Sequence, residues 1–227
     1  GRVPNQNLHQ LENIDYVIIC PSEFVSPAKR LAKKHEEIDN MTWAVVTAEQ
    51  VYNEFSSGTP DASAYRWLMK MLYDRAAGDH TKTPKHLLLM GDGTYDNRQI
   101  FRASISGANT LLTYQAKNST VETSAYATDD YFGFLEDEAG VRQGVFIDRH
   151  ATMNIGVGRL PVKTLDEAEY MVNKICTYID DGAKGKWKSQ ILFLADDGNH
   201  GAHVETAEEG AKIIQNKNKL LNNKYFV

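Results

Sequence analysis

The sequence predicts an α/β protein with a mostly parallel sheet and helices on both faces, and three observations predict it. Short apolar, β-branched runs recur at Tyr16–Ile19, Trp43–Val46, residues 86–90 and residues 190–195. Stretches of helical periodicity separate them, as where Phe24, Ala28, Leu31, His35 and Ile38 follow the first run. Two runs also pass straight into polar loops. Leu87-Leu88-Leu89-Met90 enters Gly91-Asp92-Gly93-Thr94-Tyr95-Asp96, and Ile191-Leu192-Phe193-Leu194 enters Ala195-Asp196-Asp197-Gly198-Asn199-His200. Ligands and catalytic groups in open α/β sheets collect beyond the carboxyl ends of the strands, so any chemistry is expected on that edge.

Taken in order, Tyr16-Val17-Ile18-Ile19 is bounded by polar residues and Pro21 and reads as a buried strand. Trp43–Val46 is the second strand, and Thr47 with Gln50 forms a capping box opening a helix through Phe55. Residues 56–61 make a turn before a helix lined by Tyr65, Leu68, Met69 and Leu72. Residues 97–150 carry scattered aromatics without helical periodicity and read as an irregular or hairpin-rich excursion. Residues 153–158 alternate towards a strand. Thr164 and Glu167 then form a second capping box, with Leu165, Ala168, Met171, Val172, Ile175 and Ile179 as one apolar stripe. Residues 181–186 look like a linker, a strand follows at 190–195, and a helix runs from about Thr206. Tyr225-Phe226-Val227 resembles a strand just starting. With no initial methionine, the chain is expected to be a segment of something longer, so the missing leader says nothing about location.

Composition narrows the function classes. The chain has 227 residues, of which 42% are apolar, enough for a sizeable core. No run approaches the ~18 apolar residues of a membrane span. The net charge of −5, with both signs interspersed, gives no reason to expect a nucleic-acid partner. Two cysteines, Cys20 and Cys176, do not make a disulfide framework or a metal site. Gly156-Val157-Gly158 lacks the third glycine of a dinucleotide loop, and neither Ser124 nor Ser189 lies in a nucleophile-elbow pattern.

Two constellations remain as candidate sites. Asp92, Asp96, Asp129 and Asp130 offer carboxylates near one crevice and suit a hard cation such as calcium. On spacing alone the plainer reading is favoured, with Asp92 capping a turn and Asp96 solvated. Asp196, Asp197, Asn199, His200 and His203 form the densest polar cluster, suited to a divalent ion or to general-base work. His200 and His203 share a face only where that stretch is helical. The competing reading is a solvated loop whose side chains satisfy backbone donors. Cys20 closes the first strand, where a nucleophile could sit, but no histidine lies nearby in sequence. A buried structural thiol is the favoured reading there.

The chain nevertheless resembles the gingipain family of cysteine peptidases, and within it the sortase branch that serves type IX secretion. The resemblance is carried by Asn5–His9, Asp15–Ile19, Val51–Gly58, Leu72–Ala76, Leu87–Asp96, Thr128–Phe134, Ile155–Val162 and Ala195–Gly198, in order along nearly the whole chain. It implies a caspase-like αβα sandwich of two side-by-side subdomains. The first is expected over 1–185, and 186–227 is expected to open a second, truncated one. The family's dyad is a histidine in a Gly-His-Gly context and a cysteine after a later strand, both in the second subdomain. No Gly-His-Gly occurs here and neither cysteine fits the nucleophile's context, so the dyad is expected outside these residues and the chain alone is expected to be inactive.

The resemblance further places Asp196, Asp197, His200 and His203 in a substrate-pocket loop. It implies no required cofactor and a cell-surface or outer-membrane location, while a structural calcium stays an option on the four carboxylates alone. The implied partners are proteins with C-terminal sorting signals, other type IX secretion components and the rest of the catalytic subdomain. Two alternatives stay open: a non-catalytic binding module with a degenerate peptidase-like fold, and a metal-dependent hydrolase using the Asp/His loops.

Overall fold

Tyr16–Cys20 (β1) is buried at every residue, and the first part of the molecule is organised around it. The computed structural model describes residues 5–98, 110–115, 121, 125–137, 141–142, 145–146, 152–181, 185–218 and 221–226. Trp43–Thr47 (β2) and His86–Met90 (β3) pair with β1 on either side, and Gly156–Leu160 (β8) pairs with β3, giving a parallel sheet in the order β2-β1-β3-β8. Because side chains alternate along β1, it feeds two cores. Val17 and Ile19 join Tyr65, Leu68, Met69 and Leu72 on one face. Tyr16, Ile18 and Cys20 join Phe24, Ala28, Leu31 and Val172 on the other. Val25–Asp39 (α1) and Leu165–Asp181 (α4) supply the second face, while Ala48–Phe55 (α2) and Ser63–Arg75 (α3) supply the first. This is the three-layered αβα arrangement with a parallel sheet that the sequence predicts.

Local chemistry fixes the boundaries. The helix α1 ends where Asn40 turns left-handed at φ 53° and its N–H closes on the Glu36 carbonyl at 3.1 Å. The first capping box is complete, with Gln50 N–H on Thr47 Oγ1 and Thr47 N–H on Gln50 Oε1. The second is displaced by one residue. Glu167 N–H donates to Thr164 Oγ1, but the Glu167 carboxylate accepts from Lys163 N–H at 2.6 Å rather than from the cap residue.

Three expectations are corrected. The strand read at 153–158 runs from Gly156 to Leu160, because Asn154 is tied elsewhere. Its N–H donates to the Gly133 carbonyl and its amide oxygen accepts from Leu135 N–H. The last helix, α5, spans Ala202–Asn218 and so begins four residues before Thr206. The strand read at Tyr225 and Phe226 is present but opens earlier, as Leu221–Phe226 (β10), which pairs in parallel with Gln190–Ala195 (β9), and Val227 lies outside the described residues. Within the excursion, Tyr114–Gln115 (β4) pairs antiparallel with Ala127–Thr128 (β5), and Val141–Arg142 (β6) with Val145–Phe146 (β7). His150, Ser124 and the linker residues 182–184 lie outside the described residues.

The chain divides into two compact units, Gly1–Cys176 and Thr177–Val227, a division that falls within α4 and N-terminal to the expected 185/186 boundary. In the second unit α5 packs on β9, and Gly210 lies close to the Phe193 ring. Leu192 and Leu194 stand exposed on β9.

Candidate functional site

In the first unit the carboxyl ends of β3 and β8 are stitched together by Gly91 N–H to the Leu160 carbonyl and Asp92 N–H to the Val162 carbonyl. Asp92 also receives the Leu111 N–H on its carbonyl at 2.8 Å, which brings the excursion back to the strand ends. Between these segments lies a crevice of about 340 Å³, lined by the 92–95 loop, Thr113, Thr128, Asp129 and Arg159.

Arg159 holds the crevice together. It comes from β8, is 12% exposed, and forks onto Asp129 with Nε to Oδ2 at 2.7 Å and Nη2 to Oδ1 at 2.8 Å. Its remaining N–H groups reach the carbonyls of Gly91, Asp92, Leu111 and Leu112 at 3.1–3.4 Å. A guanidinium can satisfy a carboxylate and several carbonyls at once because its donors lie in a rigid plane. Sequence reasoning missed this residue. The signal was an arginine inside an otherwise apolar strand, where a buried charge has to be paired.

The four candidate cation ligands do not form a cage. Both Asp129 oxygens are taken by Arg159, and exposed Asp130 heads the 3₁₀ turn Asp130–Gly133 with its N–H on Thr128 Oγ1. Asp92 Oδ1 accepts from the adjacent Gly93 N–H at 2.9 Å. Asp96, expected to be solvated, is only 6% exposed: the loop turns inward where Asp96 N–H bonds to Thr94 Oγ1, and Asn97 Nδ2 fixes the Thr113 carbonyl. Among the described residues no three His, Cys, Asp or Glu side chains gather as a metal site. The donor set at Asp129 does not fit calcium, because a hard cation would have to displace a bidentate guanidinium.

In the second unit the loop after β9 draws three residues together. His203 Nδ1 lies 2.5 Å from Asp196 Oδ1, which also accepts from Gly198 N–H at 3.0 Å. Asn199 Nδ2 lies 2.8 Å from His203 Nε2. With that amide donating, Nε2 is the acceptor nitrogen and Nδ1 carries the proton given to Asp196. The Asp196 carboxyl is held below the usual carboxylate range, first by the His203 hydrogen bond and then by the Gly198 N–H. Asn199 (φ 52°), His200 (φ 59°) and Gly201 (φ 84°) are all left-handed, so the chain reverses before α5. His200 therefore does not share a helical face with His203, and Asp197 contributes its backbone carbonyl to Gly201 N–H.

Neither cysteine has the surroundings of a nucleophile. Cys20 is fully buried, its thiol reaches the Val46 carbonyl at 3.9 Å, and burial, with Glu49 adding to it, pushes its pKa up to about 12. An attacking thiol needs the opposite shift. Cys176 is a half-buried free thiol packed on the α1/α4 side of the core.

This chain belongs to peptidase family C25, whose sequence model matches residues 9–227. The expected gingipain membership therefore holds, and with it the assignment to a family of cysteine peptidases. Among solved structures, dimeric latent PorU from Porphyromonas gingivalis is 36% identical over 88% of this chain, with a TM-score of 0.70. The complex of the Porphyromonas gingivalis RgpB pro- and mature domains is 14% identical over 93% of the chain at a TM-score of 0.56. The Arg-specific cysteine proteinase gingipain R (RgpB) is 13% identical over 98% at 0.57. The two RgpB likenesses show the fold. The chain spans 21% of the PorU chain and 42–43% of the RgpB chains. No curated protein matches.

Proposed function

We propose that these residues are the scaffold half of a PorU-like cysteine endopeptidase that removes C-terminal sorting signals from type IX secreted proteins at the cell surface. One observation carries the reading: 36% identity to PorU across 88% of the chain, on a shared fold. In the whole protein a cysteine thiolate attacks the scissile carbonyl and a histidine passes the proton to the leaving amine. The resulting thioester is resolved by water, or by an amine on a lipopolysaccharide anchor, which makes the step a transpeptidation. A nucleophile and histidine outside these residues are part of that proposal, and Cys20 is no substitute, since burial pushes its pKa up to about 12. The present residues contribute the sheet, the Arg159-braced crevice and, through the Asp196–His203 loop, part of the substrate pocket. Other type IX components are the expected partners.

The test uses the intact protein and a reporter carrying a C-terminal sorting signal. Cleavage that iodoacetamide abolishes, together with no cleavage by residues 1–227 alone, is the expected result. An intact protein that binds the reporter without cutting it would favour the second reading, a non-catalytic module.

A further inference from the structure

The sheet face that carries the α1/α4 core is incompletely filled at the amino ends of its strands, far from the crevice beyond their carboxyl ends. Register places Tyr16, His86 and Gly156 in one cross-strand row and Ile18, Leu88 and Gly158 in the next on that face. Each row ends on a residue without a side chain. A Cβ at Gly156 would stand 2.9 Å from His86 Nδ1, so the imidazole fills the first space. A Cβ at Gly158 would meet only Leu88 Cδ1, at 3.9 Å, and the space above it stays open. The result is a cavity of about 450 Å³ within the first unit, floored by Leu88, Gly156 and Gly158 and walled by Tyr16, Met41 and His86. A volume of that order suits a small organic molecule.

One buried polar group in this lining is left over. Tyr16 is only 7% exposed, and its ring stands nearly perpendicular to those of His35 and His86. Its hydroxyl has no hydrogen-bond partner among the described residues. A buried tyrosine hydroxyl ordinarily finds one, because a desolvated donor without an acceptor costs free energy. The nearest carboxylate of the lining does not serve it: Asp39 Oδ2 is held by His35 Nδ1 at 2.8 Å. The cavity thus offers a donor beside an apolar floor and calls for an acceptor on an apolar body. The Asp39 charge in the same lining opposes an anion, so that acceptor is neutral.

We propose that this cavity binds a compact, largely apolar molecule bearing a neutral carbonyl oxygen. The Tyr16 hydroxyl donates to that oxygen, and the hydrocarbon part lies over Gly158 and Leu88. The inference rests on the first unit alone, so its failure leaves the peptidase reading untouched.

The experiment titrates the 227-residue chain with methyl hexyl ketone and follows amide shifts by NMR, with acetone, octanoate and octylammonium as controls. Saturable movement of Leu88, Val157 and Gly158 is expected with methyl hexyl ketone and not with acetone, which lacks the apolar part. Octanoate and octylammonium are expected to bind at least about fivefold more weakly, the first for its charge beside Asp39 and the second because its head can only donate. Tyr16→Phe is expected to weaken ketone binding about three- to tenfold, the worth of one neutral hydrogen bond. The same variant leaves the thermal midpoint of the free chain unchanged or higher, because the hydroxyl has no partner to lose. Gly158→Val fills the floor and is expected to weaken binding more than about tenfold, with Gly158→Ala giving a smaller loss in the same direction where valine prevents folding. No saturation, equal binding of the ketone and both charged chains, or unaltered ketone affinity in Tyr16→Phe overturns the proposal.

Discussion

Replacing Arg159 by methionine tests what holds the strand ends together. The substitution keeps the apolar stem and removes a guanidinium that serves two Asp129 oxygens and four carbonyls. Breaking one side of a buried, hydrogen-bonded ion pair costs about 3–5 kcal/mol. Asp129 is 23% exposed and partly recovers water, which lowers the expectation to about 2–4 kcal/mol. With a denaturant slope of about 2 kcal/mol/M, the urea midpoint falls by about 1–2 M. Trp43 and Trp67 lie in the first unit, so fluorescence in a Trp187→Phe background follows that unit alone. Arg159→Lys restores less than half of the loss, because an ammonium cannot span both carboxylate oxygens and the carbonyls. The double variant with Asp129→Asn is less destabilised than the sum of the singles, by more than about 1 kcal/mol. A loss under about 0.5 kcal/mol, or strict additivity, refutes the reasoning.

Three further outcomes follow from the same geometry. Glu54 accepts the N–H groups of Leu8 and His9, the His9 ring and Gln6 Nε2; burial raises its pKa, but these donors outweigh it and hold the carboxyl low. Its stabilisation is therefore present above the unfolded carboxyl pKa and lost as pH falls through the folded one. Glu54→Gln should cost about 1–3 kcal/mol at pH 7, a gap that starts to narrow at the unfolded carboxyl pKa and closes only below the lowered folded one, with faster hydrogen exchange at Leu8 and His9. Cys20, raised by burial to about 12, should resist thiol labelling at pH 8 until urea unfolds the chain; labelling as fast as in the unfolded state contradicts that burial. Its contribution to stability is complete below the unfolded thiol pKa and is lost as pH climbs towards 12. Asp196→Ala should release the His203 tautomer, visible as a rise in the Nε2–H form in long-range ¹H–¹⁵N spectra; an unchanged tautomer ratio means that Asn199 alone fixes the ring.

Much of the first unit was legible because its strands are apolar on both sides. β1 carries Val17 and Ile19 for one core and Tyr16 and Ile18 for the other, a run that only a sheet covered on both faces accommodates. The Thr47/Gln50 cap was readable because both of its bonds are local. What escaped depends on contacts distant in sequence. Gly156 rather than Met153 opens β8 because Asn154 bonds to Gly133 and Leu135, and Asp96 is buried because Thr94 and Asn97 fold the loop inward. The Asp196–His203 pair lay within the predicted cluster. Its selection over Asp197 and His200 depends on consecutive left-handed residues that neither periodicity nor composition encodes.

The most direct measurement is peptide-bond cleavage of a sorting-signal reporter by the intact protein in which Cys20 and Cys176 are both serine. Activity within about twofold of the unaltered protein, still abolished by iodoacetamide, is expected for a peptidase whose nucleophile is neither of these thiols. Loss of cleavage in a variant that remains folded would place the reactive sulfur among these residues and contradict the division between scaffold and dyad.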